Sequence, residues 1–217
     1  MTTYRDGLPP RPPRMLKLPL NDKGYPVPWF VEWIDGKPEF RVMSAAKRVR
    51  AVKQRLCWLC GEPLGRFVTF VAGPMCGVNR TSAEPPCHHD CATYAAIACP
   101  FMTLPKAQRR EANLPEGGRT EMGAIPRNPG VAMLWTCEDT GMAKGVQPFR
   151  TPDGGWLIRM GEPHKIEWYA EGRPATREEV EESVTSGLPL LQKVADDFGE
   201  GEELAAAVKR FQPLLPA

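Results

Sequence analysis

Six of the seven cysteines in this chain, Cys57, Cys60, Cys76, Cys87, Cys91 and Cys99, fall in one stretch, with the adjacent pair His88 and His89 among them. No other feature limits the fold as tightly. Cys57-Trp-Leu-Cys60 offers two thiols from one tight turn, and Cys87-His-His-Asp-Cys91 offers further soft or borderline donors. A zinc ion needs three or four such donors at one point, so the spacing predicts a zinc site. The favoured ligands are Cys57, Cys60, His88 and Cys91, with Cys87 as the substitute for His88. His88 and Cys91 share one face of a helix's first turn at i, i+3, and Cys87 and Cys91 share one at i, i+4.

Compartment follows from the same residues. An odd cysteine count cannot pair completely. The N-terminal residues lack the apolar core of a signal peptide, and no apolar run approaches the roughly 20 residues that span a bilayer. The expectation is a reducing, cytoplasmic setting without a membrane, where clustered cysteines serve as metal ligands rather than disulfides.

Around the cysteines the chain reads as an α+β protein in three parts. Residues 1–28 form a Pro-rich extended arm (Leu8-Pro-Pro-Arg-Pro-Pro-Arg14, then Tyr25-Pro-Val-Pro28), unable to form a helix. Residues 29–110 hold a hairpin, a basic helix and the zinc module. Strands are expected at 29–34 and 39–43 about an Asp35-Gly-Lys-Pro38 turn, and Ser44 is the expected N-cap of a helix to residue 56. In that helix Ala45, Val49, Val52 and Leu56 make a stripe for the core. Lys47, Arg48, Arg50, Lys53 and Arg55 fill the remainder. A knuckle at Cys57–Cys60, a strand over 66–72 broken at Gly73-Pro74 and a helix over 87–98 give a treble-clef-like plan. Residues 100–130 read as an irregular loop carrying a second basic cluster, Lys106, Arg109 and Arg110.

Residues 111–217 form the last part: an antiparallel meander (131–136, 156–160, 165–170) with a C-terminal helical unit, packed as one body with the zinc module. Trp135, Trp156 and Trp168 belong to its core. Thr176-Arg-Glu-Glu179 is a capping box. Gly187 is expected to end that helix, Pro189 to begin the next, and a third helix to run over 202–211.

Charge suggests the partner. Residues 1–60 carry twelve Lys/Arg against five Asp/Glu, a net of +7, whereas residues 111–217 carry eleven against eighteen, a net of −7. No acid lies between residues 40 and 61, so the cations of the basic helix repel one another there. A phosphate backbone or an acidic protein surface would relieve that repulsion. Lys47, Arg48, Arg50, Lys53, Arg109 and Arg110 are the candidate contacts.

Catalysis is less well supported. A zinc deaminase needs His-x-Glu and then Pro-Cys-x-x-Cys; here three residues separate Cys87 from Cys91 and no His-x-Glu precedes them. No histidine lies between Cys60 and His88 to serve as a nuclease base at a strand end. His89, Asp90 and the thiol of Cys76 are the remaining catalytic candidates.

The block Pro74-Met-Cys-Gly-Val-Asn-Arg-Thr-Ser-Ala-Glu-Pro-Pro-Cys-His-His-Asp-Cys, with Glu171-Gly-Arg-Pro-Ala-Thr-Arg and Ser186-Gly-Leu-Pro downstream, resembles an uncharacterised family of cysteine-containing proteins encoded by phages and bacteria. The resemblance runs from about residue 25 to the end. It carries over no catalytic residue and implies a phage or mobile-element setting. The sequence therefore favours a non-catalytic zinc module that binds nucleic acid or a host or viral protein. A metal-dependent nuclease or nucleic-acid-modifying enzyme is one alternative, and a virion or assembly protein with a wrapping arm is another.

Overall fold

The computed structural model describes residues 2–104, 128–139, 145–151 and 155–217. After a Pro-rich lead-in come β1 (Val31–Ile34) and β2 (Lys37–Met43), a two-stranded ribbon. Asp35 and Gly36 both take positive φ, which matches the right-handed twist of the flanking strands. Helix α1 (Ala45–Gln54) follows, then β3 (Phe67–Ala72), α2 (Pro74–Asn79), β4 (Thr81–Ser82), α3 (His89–Ala98) and α4 (Pro100–Thr103). The remainder contains β5 (Val131–Glu138), β6 (Gln147–Arg150), β7 (Trp156–Arg159), β8 (Pro163–Ala170), β9 (Arg173–Pro174), α5 (Arg177–Phe198) and α6 (Gly201–Phe211). Helix and sheet are mixed, as expected of an α+β chain.

Strand β5 organises the molecule. It is buried from Val131 to Cys137, so both its faces are covered, and alternate side chains enter different cores. Val131, Met133, Trp135 and Cys137 face a core closed by α2, α5 and α6. Ala132 and Leu134 face the other, which contains the knuckle cysteines and α3. The four-stranded sheet runs β3-β5-β8-β9, every pair antiparallel. It draws β3 from the cysteine module and β5, β8 and β9 from the C-terminal part.

Several expectations are corrected. The C-terminal strands are not a meander: β5 pairs with β3 and β8, while β7 joins β4 and β6 in a second antiparallel sheet. Strand β6 was not foreseen, because Gln-Pro-Phe-Arg shows little β pattern and pairs through backbone contacts with β7. The arm is not a free extended segment. It holds a 3-10 turn at Pro13–Met15, with Met15 and Leu18 buried in the cysteine-side core. Proline at the first helical position costs no hydrogen bond, which is how so proline-rich a stretch can turn.

The segment after Gly73 forms the short helix α2, with Pro74 at its first position. Helix α5 runs unbroken through Gly187 and Pro189. A Cβ at Gly187 would lie 3.0 Å from the Met75 side chain, so this glycine allows α2 to pack closely and does not stop the helix. Pro189 has no N–H for the Thr185 carbonyl, and both residues are exposed, so the lost bond falls on the solvent side of the helix. Trp135 and Trp168 are core residues as expected; Trp156 is half-buried.

The basic helix is rotated from its expected orientation. Ala45 and Val49 are exposed, whereas Val52 packs against the core and Leu56 is buried as expected, and the buried face also takes in Ser44, Arg48 and Ala51. Arg48 takes the place of Ala45 and Val49 on the buried face because its guanidinium lies 3.9 Å from the centre of the Trp156 ring and donates to the Trp156 carbonyl at 2.9 Å. The aromatic face and the carbonyl together compensate the buried cation.

Candidate metal centre

The knuckle is built by a short backbone bridge between Leu56 and Pro63. Gly61 N–H donates to the Cys57 carbonyl and Cys57 N–H to the Glu62 carbonyl, which folds the two thiols toward one point. Gly61 has φ +76, and a Cβ there would strike the Trp29 ring at 2.7 Å, so the turn requires glycine twice over. From the other side, Thr69 on β3 and Cys87 exchange two backbone hydrogen bonds, bringing the residues before α3 against the sheet. His88 then takes extended φ/ψ at the N-cap of α3, and its side chain makes no capping bond. Cys91 lies in the first turn of the same helix.

The result is a cluster. Ligand atoms of Cys57, Cys60, His88 and Cys91 lie within 4.8 Å of one another, the three cysteines buried and His88 half-buried. With zinc–sulfur bonds of about 2.3 Å, tetrahedral ligands sit about 3.8 Å apart, so a small contraction about an ion closes the set. His88 is oriented for this role. Its Nδ1 faces the Cys60 sulfur at 3.4 Å, and its Nε2–H donates to the Pro63 carbonyl at 3.0 Å. Such a bond fixes the ring and leaves Nδ1 free to ligate. His88 N–H also donates to the Cys57 sulfur at 3.4 Å.

The thiols' acidity shows how crowded the cluster is. Hydrogen bonds from Cys60 foremost, then Cys87 and Cys91, draw the Cys57 pKa far below its usual range. As a donor to Cys57, Cys60 is pushed up to about 11. Cys91 is pushed further up by its bonds to Cys57 and Cys60. Protein groups alone thus favour one thiolate among several thiols. A dication would allow all three to ionise, and its binding would release protons.

The other sequence candidates divide. Cys87 is outside the four-residue group. Its thiol hydrogen-bonds Cys57, the Leu59 backbone supports it, and burial pushes its pKa well up. Cys76 sits on α2, which packs against α5 and α6 on the far side of the sheet, and burial raises its thiol to about 11. A thiol so protonated is not an activated nucleophile. His89 Nε2 lies 2.5 Å from a Glu167 carboxylate oxygen, and Glu167 also meets Lys165 at 2.9 Å. Asp90 accepts from Arg14 at 2.9 Å and from the Cys91 N–H at 2.9 Å. Both candidates are therefore engaged in holding α3 to its surroundings.

Of the basic helix, Arg48 is withdrawn into the interior and is no surface contact. Lys47 Nζ donates to the Val31 carbonyl at 2.8 Å, and Arg50 lies 5.6 Å from the Trp29 ring centre. Arg50 and Lys53 are exposed, and among the described residues no carboxylate pairs with either. Arg55 pairs with Asp139 at 2.9 Å. Lys106, Arg109 and Arg110 lie outside the described residues.

Sequence reasoning missed the arm's part in the site. Arg14 and Lys17 reach Glu62, at 4.0 and 2.6 Å, and the Tyr4 hydroxyl is 2.7 Å from that of Tyr94 on α3. Proline content masked these contacts, and only the buried Met15 and Leu18 among the prolines could have signalled them. Among the described residues no helix is long and apolar enough to cross a membrane. No family model, curated protein or solved structure matches the chain, so the reading of the site rests on its own residues.

Proposed function

We propose that Cys57, Cys60, His88 and Cys91 hold one structural zinc ion, and that the protein is a zinc-structured binding module whose partner is nucleic acid. The observation that carries the metal reading is the closed donor set: three thiols and one imidazole converge with the imidazole already oriented by a carbonyl. Three sulfurs and a nitrogen suit zinc better than the harder divalent ions. A four-ligand set leaves no open position for a substrate, which supports a structural role over a catalytic one. A knuckle followed by the β3–Cys87 pairing and a helix whose first turn supplies the last ligand supports a treble-clef reading.

The partner reading rests on Arg50 and Lys53 on the outer face of α1, with Lys47 on its flank. Cations without acid neighbours gain from displacing counterions on a phosphate chain. The resemblance to phage and bacterial proteins supports an accessory role in a phage or mobile element. A nuclease reading would have to recruit His89, which Glu167 already holds, and nothing in the cluster's geometry favours it.

The test has two parts. The purified protein should carry one zinc per chain by elemental analysis, lost in Cys60→Ser and retained in His89→Ala. Nucleic-acid affinity should fall steeply with salt and flatten in Arg50→Gln/Lys53→Gln. A metal-free protein with undiminished stability overturns the zinc reading, and absence of nucleic-acid binding at low salt overturns the partner reading.

A further inference from the structure

The ribbon β1–β2 leaves two large aromatic side chains in solvent, Trp33 and Phe40, each 43% exposed. Exposed aromatics cost hydration free energy, and two on one small ribbon mark a surface with a use. The register places Trp33. Trp33 is paired with Pro38, so these two share one face, while Phe40 stands where the β1–β2 register shifts and is placed in solvent by its exposure rather than by its pairing. Glu32 and Glu39 pair with each other one step along and so lie on the opposite face. Glu39 is further neutralised by Arg41, at 2.6 and 2.8 Å. The Trp33 side of the ribbon is thus opposite the paired carboxylates of Glu32 and Glu39.

Cations border this ribbon. Lys47 Nζ is anchored on the carbonyl of Val31, two residues before Trp33, a strand distance of about 7 Å. Arg50 lies one helical turn beyond Lys47 and reaches over Trp29, just before β1. Lys53 continues the outer face of α1, and Lys37 is exposed at the ribbon's tip. An aromatic platform edged by unneutralised cations matches a chain that carries both phosphates and unpaired bases. A duplex could satisfy the cations, but its bases are stacked on one another and cannot stack on Trp33. An acidic polypeptide could also satisfy the cations, but it offers no regular series of flat apolar faces.

We propose that the β1–β2 ribbon and α1 together bind single-stranded nucleic acid, with Trp33 and Phe40 stacking on bases and Arg50 and Lys53 contacting phosphates. This rests on the nucleic-acid reading above and goes beyond it in strand state and in residues. Stacking on an aromatic contributes about 1–3 kcal/mol per base, so loss of one such contact weakens binding about tenfold.

The experiment uses the full zinc-loaded chain and fluorescein-labelled oligothymidylate, alone and annealed to oligoadenylate. Trp33→Ala/Phe40→Ala should weaken binding to the single strand at least about tenfold. Its affinity for the duplex, its zinc content and its melting temperature should stay as in wild type. Trp33→Tyr should restore most of the loss, which separates stacking from folding. Arg50→Gln/Lys53→Gln should reduce the salt dependence on both probes. Equal affinity for both probes, with the aromatic variant binding like wild type, overturns the single-strand inference and leaves the nucleic-acid reading standing. Binding to neither probe at low salt overturns both. Full displacement of the single strand by polyglutamate at equal charge concentration overturns it in favour of an acidic protein partner.

Discussion

On one face of the β3-β5-β8-β9 sheet, Met133 and Trp135 meet Val180, Val184, Leu191 and Phe211 in a core of large side chains. On the other face, Ala132 and Leu134 meet Ala92, Ala95, Ala96 and Ala98 of α3, the knuckle, and the arm. Both faces are closely covered, yet the stabilising physics differs. Burial contributes in proportion to apolar area, roughly 25 cal/mol per Å², and alanine brings little area. The helix-side face is held as an ordinary apolar core. The cysteine-side face sets small side chains of α3 against the sheet, keeps its bulk in Trp58 and Met15, and adds cross-linking: a donor cluster, backbone bridges at Leu56–Pro63 and Thr69–Cys87, and polar ties from the arm.

The sharpest way to break the comparison is to remove the zinc proposed for the donor cluster. Structural zinc contributes folding free energy on the order of 10 kcal/mol in small modules. Chelation, or Cys60→Ser, should therefore abolish amide-exchange protection in α3 and the knuckle while α5 and α6 keep most of theirs. Hydrogen exchange read by mass spectrometry checks this. Loss of protection on both faces together would mean that β5 couples them into one cooperative unit and that the division is only geometric.

Two neighbouring residues on β5 sharpen it further. Met133 and Leu134 are both fully buried but point into different cores. Either residue truncated to alanine should cost about 2–5 kcal/mol in thermal or urea unfolding. Zinc affinity, measured by competition with a chromophoric chelator, should fall for Leu134→Ala and stay near wild type for Met133→Ala. Equal effects on zinc affinity would contradict a donor cluster that stands on its own face.

The contrast also explains what the sequence made legible. The cysteine spacing located the donor cluster because two of its residues share a turn and two lie at a helix start, which are local facts. The capping box at Thr176 is likewise local, and both of its hydrogen bonds are present. What could not be read depends on distant partners. Arg48 is buried because Trp156 supplies a ring and a carbonyl, more than a hundred positions away. Gly187 looked like a helix stop because its reason for being glycine is Met75. The pairing of β5 with β8, past β7, and the engagement of His89 with Glu167 are of the same kind.

A smaller effect belongs to the helix-side face alone. Thr176 accepts the Glu179 N–H while the Glu179 carboxylate accepts the Thr176 N–H. Thr176→Ala should cost about 1 kcal/mol, with zinc affinity unchanged. A change in zinc affinity would show that the start of α5 communicates with the cysteine side.

The smallest effect tests how the arm is held. Arg14 and Lys17 pair with Glu62 and Asp90, which sit next to the ligand-bearing turns, so it is tempting to credit these ions with closing the site. All four side chains are more than a third exposed, and exposed pairs contribute roughly 0–1 kcal/mol each and are screened by salt. Burial of Met15 and Leu18 contributes more, at about 1.5–3 kcal/mol per fully buried side chain. Arg14→Gln/Lys17→Gln should therefore lower the melting temperature only slightly in dilute buffer, and the difference should vanish in high salt. Met15→Ala should lower it more, by an amount that salt does not reduce. A large, salt-sensitive loss in the double variant would instead make the ion pairs the arm's main attachment, and would extend the polar cross-linking of the cysteine-side face to the arm itself.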